Sequence, residues 1–181
     1  MEDYARILDH LPQAPPDQGP FHREAVAFAV GEEEFKLFEL VPRTGAELAV
    51  GDRVYIGREV DRREKIQHVK RRIGYTDLTN AAQSELPFIL EQIIKEHEEK
   101  FVRFFNEAPP LSPRYHMLEL LPGLGKKTMQ VVLEERKKGP FVSFEDLGQR
   151  IHMSKPEKLV VQRILTEVSD LSQKYRIFTA K

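Results

Sequence analysis

The residues best suited to chemistry lie in one short segment, residues 121–128, which reads LPGLGKKT. In a helix interior each of its two glycines would cost about 1 kcal/mol relative to alanine, so Gly123 and Gly125 predict a turn. Glycine can adopt positive φ and lets another backbone approach closely. Leu124, between the two glycines, is predicted to fill the groove between the helices that flank the turn.

A helix is predicted directly after this turn, over residues 126–138. The first turn of a helix has N–H groups without intrahelical acceptors and carries the positive end of the helix dipole, so it binds phosphate readily. Lys126 and Lys127 would add full positive charges, and Thr128 a hydroxyl donor. The predicted phosphate contacts are therefore Gly123, Leu124, Gly125, Lys126, Lys127 and Thr128. A tight helix–helix turn, or a protein-docking element, is the alternative that these residues leave open.

The composition excludes several kinds of chemistry. The chain has 181 residues, 40% of them hydrophobic, which is enough for a packed core. It has no cysteine, so disulfides, thiolate metal sites, iron–sulfur clusters and cysteine nucleophiles are excluded. The first residues are acidic, unlike a signal peptide, and the apolar run 25–30 is too short to span a bilayer. We expect a cytoplasmic protein with no membrane contact.

Positive charge is concentrated in two zones, although the net charge is only -1. From residue 112 onward there are 13 Lys and Arg against 8 Asp and Glu, and residues 52–72 hold 8 basic against 4 acidic residues. Charge of this kind informs about partners and not about fold.

Period-two patterns predict strands over residues 25–30, 35–41, 50–57 and 65–73, with a turn at 31–33. Short strands at such spacing favour a small antiparallel barrel, which we expect to be OB-like. Such barrels bind single-stranded nucleic acid through a cationic groove and aromatic side chains on which bases stack. Tyr55 and Tyr75 are candidates for this stacking. The cations of this surface are Arg58, Arg62, Arg63, Lys65, Lys70, Arg71 and Arg72. Because acidic residues 59, 61 and 64 are interspersed, an ordinary solvated hairpin is the alternative.

From residue 84 the pattern changes to the helical period and predicts one long amphipathic helix, which ends at the proline-rich residues 108–113. Its Phe101, Phe104 and Phe105 would either pack in the core or hold a protein partner. Helical segments are then expected over 114–121, 126–138, 143–151 and 155–171. Capping boxes, Ser143 with Asp146 and Ser154 with Glu157, would start the last two. The predicted α+β chain comprises a barrel (1–78), a connecting helix and linker (79–111) and a helical domain (112–181).

The segment 118–128 resembles the helix-hairpin-helix motif of nucleic-acid-binding proteins that lack sequence specificity. One departure is Met129, where that family usually has a small alanine. Residues 136–147 resemble the linker and third helix of tandem helix-hairpin-helix domains. The second hairpin would then fall at residues 151–155, which contain Lys155 but no glycine. It is expected to be degenerate, with fewer amides available to a phosphate.

Nearly the whole chain is similar to a family of small archaeal proteins of undefined function that combine an OB-like barrel with such a helical domain. The resemblance implies binding of RNA or DNA through the phosphate backbone, which carries no sequence information. A protein-interaction adaptor is the second interpretation. No cofactor and no metal are expected, since the six histidines show no ligand spacing.

The enzymatic alternative is a DNA glycosylase or lyase. Lys127 matches the nucleophilic lysine of helix-hairpin-helix glycosylases, and Glu145 or Asp146 lies near the expected acid. Such a lysine would have to be deprotonated by burial or by a neighbouring cation. The helical domain that forms the base-flipping pocket is missing, however, and there are no cluster cysteines. We therefore predict a binding protein and not an enzyme.

Overall fold

The structure, a computed structural model, describes residues 1–12 and 24–181. It has a mixed α+β fold that divides into two compact units, Met1–Ile89 with Thr166–Lys181, and Leu90–Leu165. These units differ from the predicted segments, because the chain returns to the first unit from Thr166 onward. Within the described ranges, no helix combines the length and the apolar character needed to cross a bilayer.

The first unit is built on a curled antiparallel sheet of five strands, in the order β4-β1-β2-β3-β5. The register shifts in the pairing of β1 with β2 and of β3 with β5, and such irregularities bend and twist a sheet. Among the described strands β4 and β5 remain edges, so the sheet is a half-barrel and not the closed barrel that was expected. The strands are β1 Tyr4–Leu11, β2 Val26–Gly31, β3 Leu37–Pro42, β4 Arg53–Tyr55 and β5 Ile66–Ile73.

All four predicted strands are present, with β4 shorter than predicted, and β2 and β3 form the predicted hairpin. Alternate residues of the strands point into a common core, as the period-two pattern requires. The buried residues of this core are Ala5, Ile7, Ala27, Ala29, Leu40, Val54, Ile56 and Ile66.

An ion-pair cluster lies beside the core where β1 pairs with β4. The Glu32 carboxylate, which is 4% exposed, accepts from Arg6 Nε at 2.6 Å and from Arg53 Nε at 2.9 Å. Burial acts to raise the pKa of Glu32, but hydrogen bonds from Arg53 and Arg6 outweigh it and hold the pKa below its usual value. The ionised carboxylate therefore ties β1 and β4 to the β2–β3 turn.

The predicted long helix is in fact two helices, α1 Asn80–Glu96 and α2 Glu98–Glu107, so the single-helix prediction was wrong. The break is at His97, whose φ of -110° and ψ of 34° leave the helical region. Glu98 and Glu99 lie in the first turn of α2, where acidic side chains stabilise a helix start. Phe101 and Phe105 are fully buried, as the core interpretation requires, whereas Phe104 is half-buried.

The predicted helix over 114–121 is also wrong. Residues there form a two-stranded hairpin of β6 Pro110–Ser112 and β7 Tyr115–His116, followed by a 3-10 helix Met117–Leu120. Pro113 lies in the hairpin turn, where a residue without an N–H group is tolerated. The remaining helices match the prediction closely: α3 Lys126–Lys138, α4 Phe144–Ile151 and α5 Glu157–Ser169.

Glu32→Gln tests the ion-pair cluster. Removing the charge takes one counterion from the buried Arg6 guanidinium and weakens a charge-assisted hydrogen bond, so we expect the free energy of unfolding to fall by about 2–3 kcal/mol. Urea unfolding followed by circular dichroism measures this loss. Glu47→Gln is the control, because Glu47 is exposed and makes no recorded side-chain contact in the described chain.

The same variant has a pH signature. The pKa of Glu32 is lowered on folding, so its contribution is present above the unfolded pKa and is lost as pH falls through the folded pKa. Between about pH 5 and pH 3 the wild type should lose more stability than Glu32→Gln. If the free energies of unfolding of the wild type and Glu32→Gln fell in parallel as the pH is lowered, the assignment of this pH dependence to Glu32 would be wrong.

Candidate nucleic-acid interface

The turn between the 3-10 helix and α3, residues 121–125, is here called the glycine turn. Gly123 has φ +89°, a conformation that residues with a Cβ rarely adopt. Leu124 N donates to Leu121 O at 3.1 Å, and both side chains are buried. The N–H group and the side chain of Leu124 are therefore both engaged within the protein, while Gly123 and Gly125 are exposed at the surface.

Helix α3 begins without any side-chain cap. Its N-cap residue is Gly125, and its first turn contains no acidic residue. Lys126 and Lys127 are exposed, and neither they nor the N–H groups of residues 126–128 have a recorded partner in the described chain. Thr128 is half-buried. Three donors and two ammonium groups therefore share one small surface, which suits an anion.

The start of α4 provides a contrast in the same unit. Phe144 N donates to Glu98 Oε1 at 2.6 Å, and Asp146 N donates to Ser143 Oγ at 2.9 Å. The Ser143 cap was predicted, whereas the Glu98 contact joins residues too far apart in sequence to be anticipated. Two donors of this helix start are therefore satisfied by side chains within the protein, whereas those of α3 are not.

The glycine turn is held by side chains that the sequence analysis did not single out. His116 Nδ1 accepts from Leu118 N at 3.0 Å, which caps the 3-10 helix. Burial lowers the pKa of His116, and the charge of Arg136 acts in the same direction, so the imidazole stays neutral and able to accept. Arg163 from α5 donates to Leu120 O at 3.3 Å. The His116–Glu119 spacing of a capping box was the available signal.

The second turn, residues 152–156, also uses left-handed conformations, but at residues other than glycine. His152 has φ +56° and Lys155 has φ +52°. The backbone of this turn comes close to α4 at Gly148, because a Cβ on that residue would lie 2.7 Å from Met153 O. Ser154, expected to cap α5, makes no recorded hydrogen bond in the part of the chain that the structure describes.

A groove of about 660 Å³ opens beside this second turn. Lys155 lies on it, as do three carboxylates, from Glu98, Glu145 and the buried Glu157. Carboxylates repel phosphate, so this turn differs in charge from the glycine turn. Asp146, the other candidate acid, accepts from Arg150 at 3.3 Å and from Val142 N at 3.1 Å.

In the sheet unit most of the predicted cations have partners. Lys70 and Arg71 both contact the buried Glu39, at 3.3 and 2.6 Å. Burial acts to raise the pKa of Glu39, but hydrogen bonds from Arg71 and Lys70 outweigh it and lower the pKa. Arg72 donates to the carbonyls of Ala180 and Lys181, at 3.2 and 2.7 Å.

The other cations of this surface lie between β4 and β5. Arg63 donates to Gly57 O at 2.8 Å, and Lys65 lies 3.6 Å from Asp52. Arg62 contacts Glu59 at 3.5 Å but stays half-exposed, and Arg58 is exposed with no recorded partner in the described chain. The structure therefore separates cations that hold the fold from those available to a ligand.

Comparisons with known proteins identify relatives over almost the full length. A family model described as "Protein of unknown function (DUF655)" matches residues 1–180. The chain is 42% identical over 179 residues to an uncharacterized protein, MJ0038, from Methanocaldococcus jannaschii, covering 98% of this chain and 80% of that protein. It is 49% identical to Af1531 from Archaeoglobus fulgidus, whose crystal structure superposes with a TM-score of 0.90 and covers 99% of this chain and 100% of that one.

Gly123→Ala tests the geometry of the glycine turn. Because φ is +89°, a Cβ strains the backbone, and we expect a loss of about 1–2 kcal/mol in the free energy of unfolding. Gly123→Asn is the matched variant, since asparagine tolerates positive φ better, and it should lose less. Thermal unfolding of both variants measures the difference. If both variants lose the same free energy of unfolding, steric exclusion of any side chain, and not the positive φ, accounts for the loss.

Proposed function

The chain belongs to the DUF655 family, and we propose that it binds the phosphate backbone of RNA or DNA without sequence preference. In this proposal the glycine turn and the start of α3 act as a helix-hairpin-helix element. The curled sheet acts as an OB-like module that supplies a second cationic surface. The bound phosphates would contact Gly123, Gly125 and the first turn of α3 in the first module, and the half-exposed cations of the second.

The observation that carries the proposal is the open start of α3. Backbone N–H groups bind phosphate from any nucleotide, because the phosphate does not depend on the base. Lys126 and Lys127 lie beside these groups, have no acidic neighbour in the first turn and extend into solvent. The start of α4 would not serve, since Glu98 and Ser143 already occupy its donors.

One such module binds weakly, so the second surface matters. Each phosphate that is neutralised on duplex DNA contributes roughly 0.9 to the slope of log affinity against log salt, and about 0.7 on a single strand. A few contacts therefore give low affinity at physiological salt. Two modules in one chain raise the affinity because binding of the first increases the local concentration of the second.

The groove at the second turn favours a second candidate function, that of a protein-interaction adaptor. Its lining includes the apolar side chains of Phe144, Met153 and Pro156 and the carboxylates of Glu98 and Glu145. Such a surface fits a peptide with basic and apolar side chains better than it fits a polynucleotide. A chain that acted only as an adaptor would bind no nucleic acid even at low salt.

The test is a salt titration of binding to single- and double-stranded RNA and DNA, followed by fluorescence anisotropy. Lys126→Ala/Lys127→Ala should weaken binding to every polymer at low salt and reduce the salt slope on duplex DNA by about 1–2. The reason is that two phosphate contacts, and the counterions they release, are lost.

The matched control is Lys137→Ala/Lys138→Ala, which removes the same charge from the other end of α3. This variant should bind with nearly the wild-type slope, because it leaves the N–H groups and both lysines of the first turn in place. Equal losses in the two double variants would indicate that net charge, and not the helix start, accounts for binding. No binding of any polymer by the wild type would reject the proposed function.

A further inference from the structure

A concave surface lies on the outer face of β1 and β4, within the sheet unit. Tyr4 and Tyr55 are directly opposite in the ladder, and their rings meet edge to face with centroids 5.4 Å apart. These rings line a cavity of about 460 Å³ together with Val54, three cations (Arg53, Arg62 and Lys65) and two carboxylates (Asp61 and Glu64). That volume is within the range of small-ligand sites. We refer to it as the tyrosine–arginine pocket.

The first wall of the pocket is a fixed guanidinium. The Arg53 guanidinium carbon lies 3.7 Å from the centroid of the Tyr4 ring, a cation–π contact. Glu32 holds the same guanidinium through both carboxylate oxygens, at 2.9 and 3.1 Å. Arg53 is still 48% exposed, so a planar ligand has access to it while its orientation is set.

The second wall is formed by Arg62 and Tyr55. The Arg62 guanidinium lies 4.4 Å from the centroid of the Tyr55 ring, and its Nη2 donates to the Tyr4 hydroxyl at 3.2 Å. The Tyr55 hydroxyl lies against the backbone at Gly57, where an added Cβ would approach it to 2.3 Å. The phenol ring is therefore fixed in place before any ligand binds.

Two carboxylates face the same cavity without partners. Asp61 and Glu64 are exposed, and neither makes a recorded hydrogen bond or ion pair in the part of the chain that the structure describes. The three lining cations already have carboxylate partners, so the charge of Asp61 and Glu64 opposes a phosphate inside the pocket. It suits a ligand that has a flat face for the guanidinium and phenol planes and N–H donors at its edge for the carboxylates.

We propose that the tyrosine–arginine pocket binds one unstacked, amino-bearing base of a single strand. Bases of single strands stack on aromatic rings and on arginine planes, and their edges hydrogen-bond to side chains. Carboxylates accept from exocyclic amino groups such as cytosine N4. Uracil and thymine lack that amino group, and their single edge donor, the N3 imide N–H, lies between two carbonyl oxygens that carboxylates repel, so the pocket favours adenine, cytosine and guanine over them.

This inference rests on the proposed function and narrows its substrate class to strands with unpaired bases. In a duplex the bases are stacked and paired, so a base can enter the pocket only after it has been unpaired and unstacked, which costs free energy. The contact at the start of α3 has no such requirement, since phosphates are exposed in both forms. Single strands should therefore use both modules, and duplexes only the helical one.

The experiment compares oligocytidylate and oligouridylate of equal length with a duplex, at neutral pH and low salt, by fluorescence anisotropy. The two single strands carry equal charge and differ in the amino group. We expect the wild type to bind oligocytidylate about fivefold or more tightly than oligouridylate. Asp61→Asn/Glu64→Gln should bring that ratio close to one, because an uncharged amide is a weaker acceptor. The ratio is independent of the general gain in affinity from removing two negative charges.

A second pair of variants tests the stacking wall. Arg62→Ala should weaken both single strands by about fivefold or more, with a smaller effect on the duplex. Lys174→Ala is the matched control, since Lys174 is an exposed cation of the same unit that lies outside the pocket and outside the predicted cationic surface. It should alter single strands and duplex to the same small extent.

The outcomes separate the two proposals. Equal binding of the two homopolymers, or binding of the duplex alone with dependence on Lys126 and Lys127, overturns the pocket and leaves the proposed function in place. A cytosine preference that survives in Asp61→Asn/Glu64→Gln also overturns the pocket. If the wild type binds no polymer, both the pocket and the proposed function are rejected.

Discussion

The pairing of buried charges is the constraint on which the sheet unit depends. Glu32 and Glu39 are almost completely buried, and a buried carboxylate persists only with counterions and hydrogen bonds. Arg6 and Arg53 satisfy Glu32, while Lys70 and Arg71 satisfy Glu39. Four of the basic residues of this unit therefore stabilise the fold by pairing with buried carboxylates. The number of cations that a ligand can contact depends on this internal pairing and not on the total number of basic residues.

The same reasoning applies to the ends of helices, where the groups to be satisfied are N–H donors. Helix α4 uses Ser143 and Glu98 as acceptors, and the 3-10 helix uses His116 and Glu119. Helix α3 uses none, because Gly125 has no side chain to offer. A helix start without acceptors costs stability unless water or a ligand satisfies it. The start of α3 therefore has first-turn N–H donors without a side-chain acceptor, and two lysines lie beside them.

Local patterns predicted much of this structure, because they depend on neighbours in sequence. The period-two runs placed β2, β3 and β5, and the glycines followed by a helical run predicted α3 over the residues observed. Features set by distant contacts were missed. The break at His97 precedes a glutamate that caps a helix 46 residues away, and Gly148 is required by the later backbone at Met153. Tyr55 was anticipated as a stacking residue, but its partner Tyr4 lies on another strand, so only the ladder brings them together.

The two candidate surfaces differ in the forces they offer, and this difference gives a reason for combining them. Contacts between N–H groups, lysines and phosphate are electrostatic and weaken as salt displaces the counterions. Stacking of a base on the guanidinium planes of Arg53 and Arg62, which lie over the Tyr4 and Tyr55 rings, buries flat surface, and salt screens this contact far less. In the proposed function the start of α3 thus supplies affinity for any strand, and the tyrosine–arginine pocket supplies the selection for unpaired bases. Carboxylates inside that pocket would be costly at a phosphate site, but they are well placed where the ligand presents N–H donors.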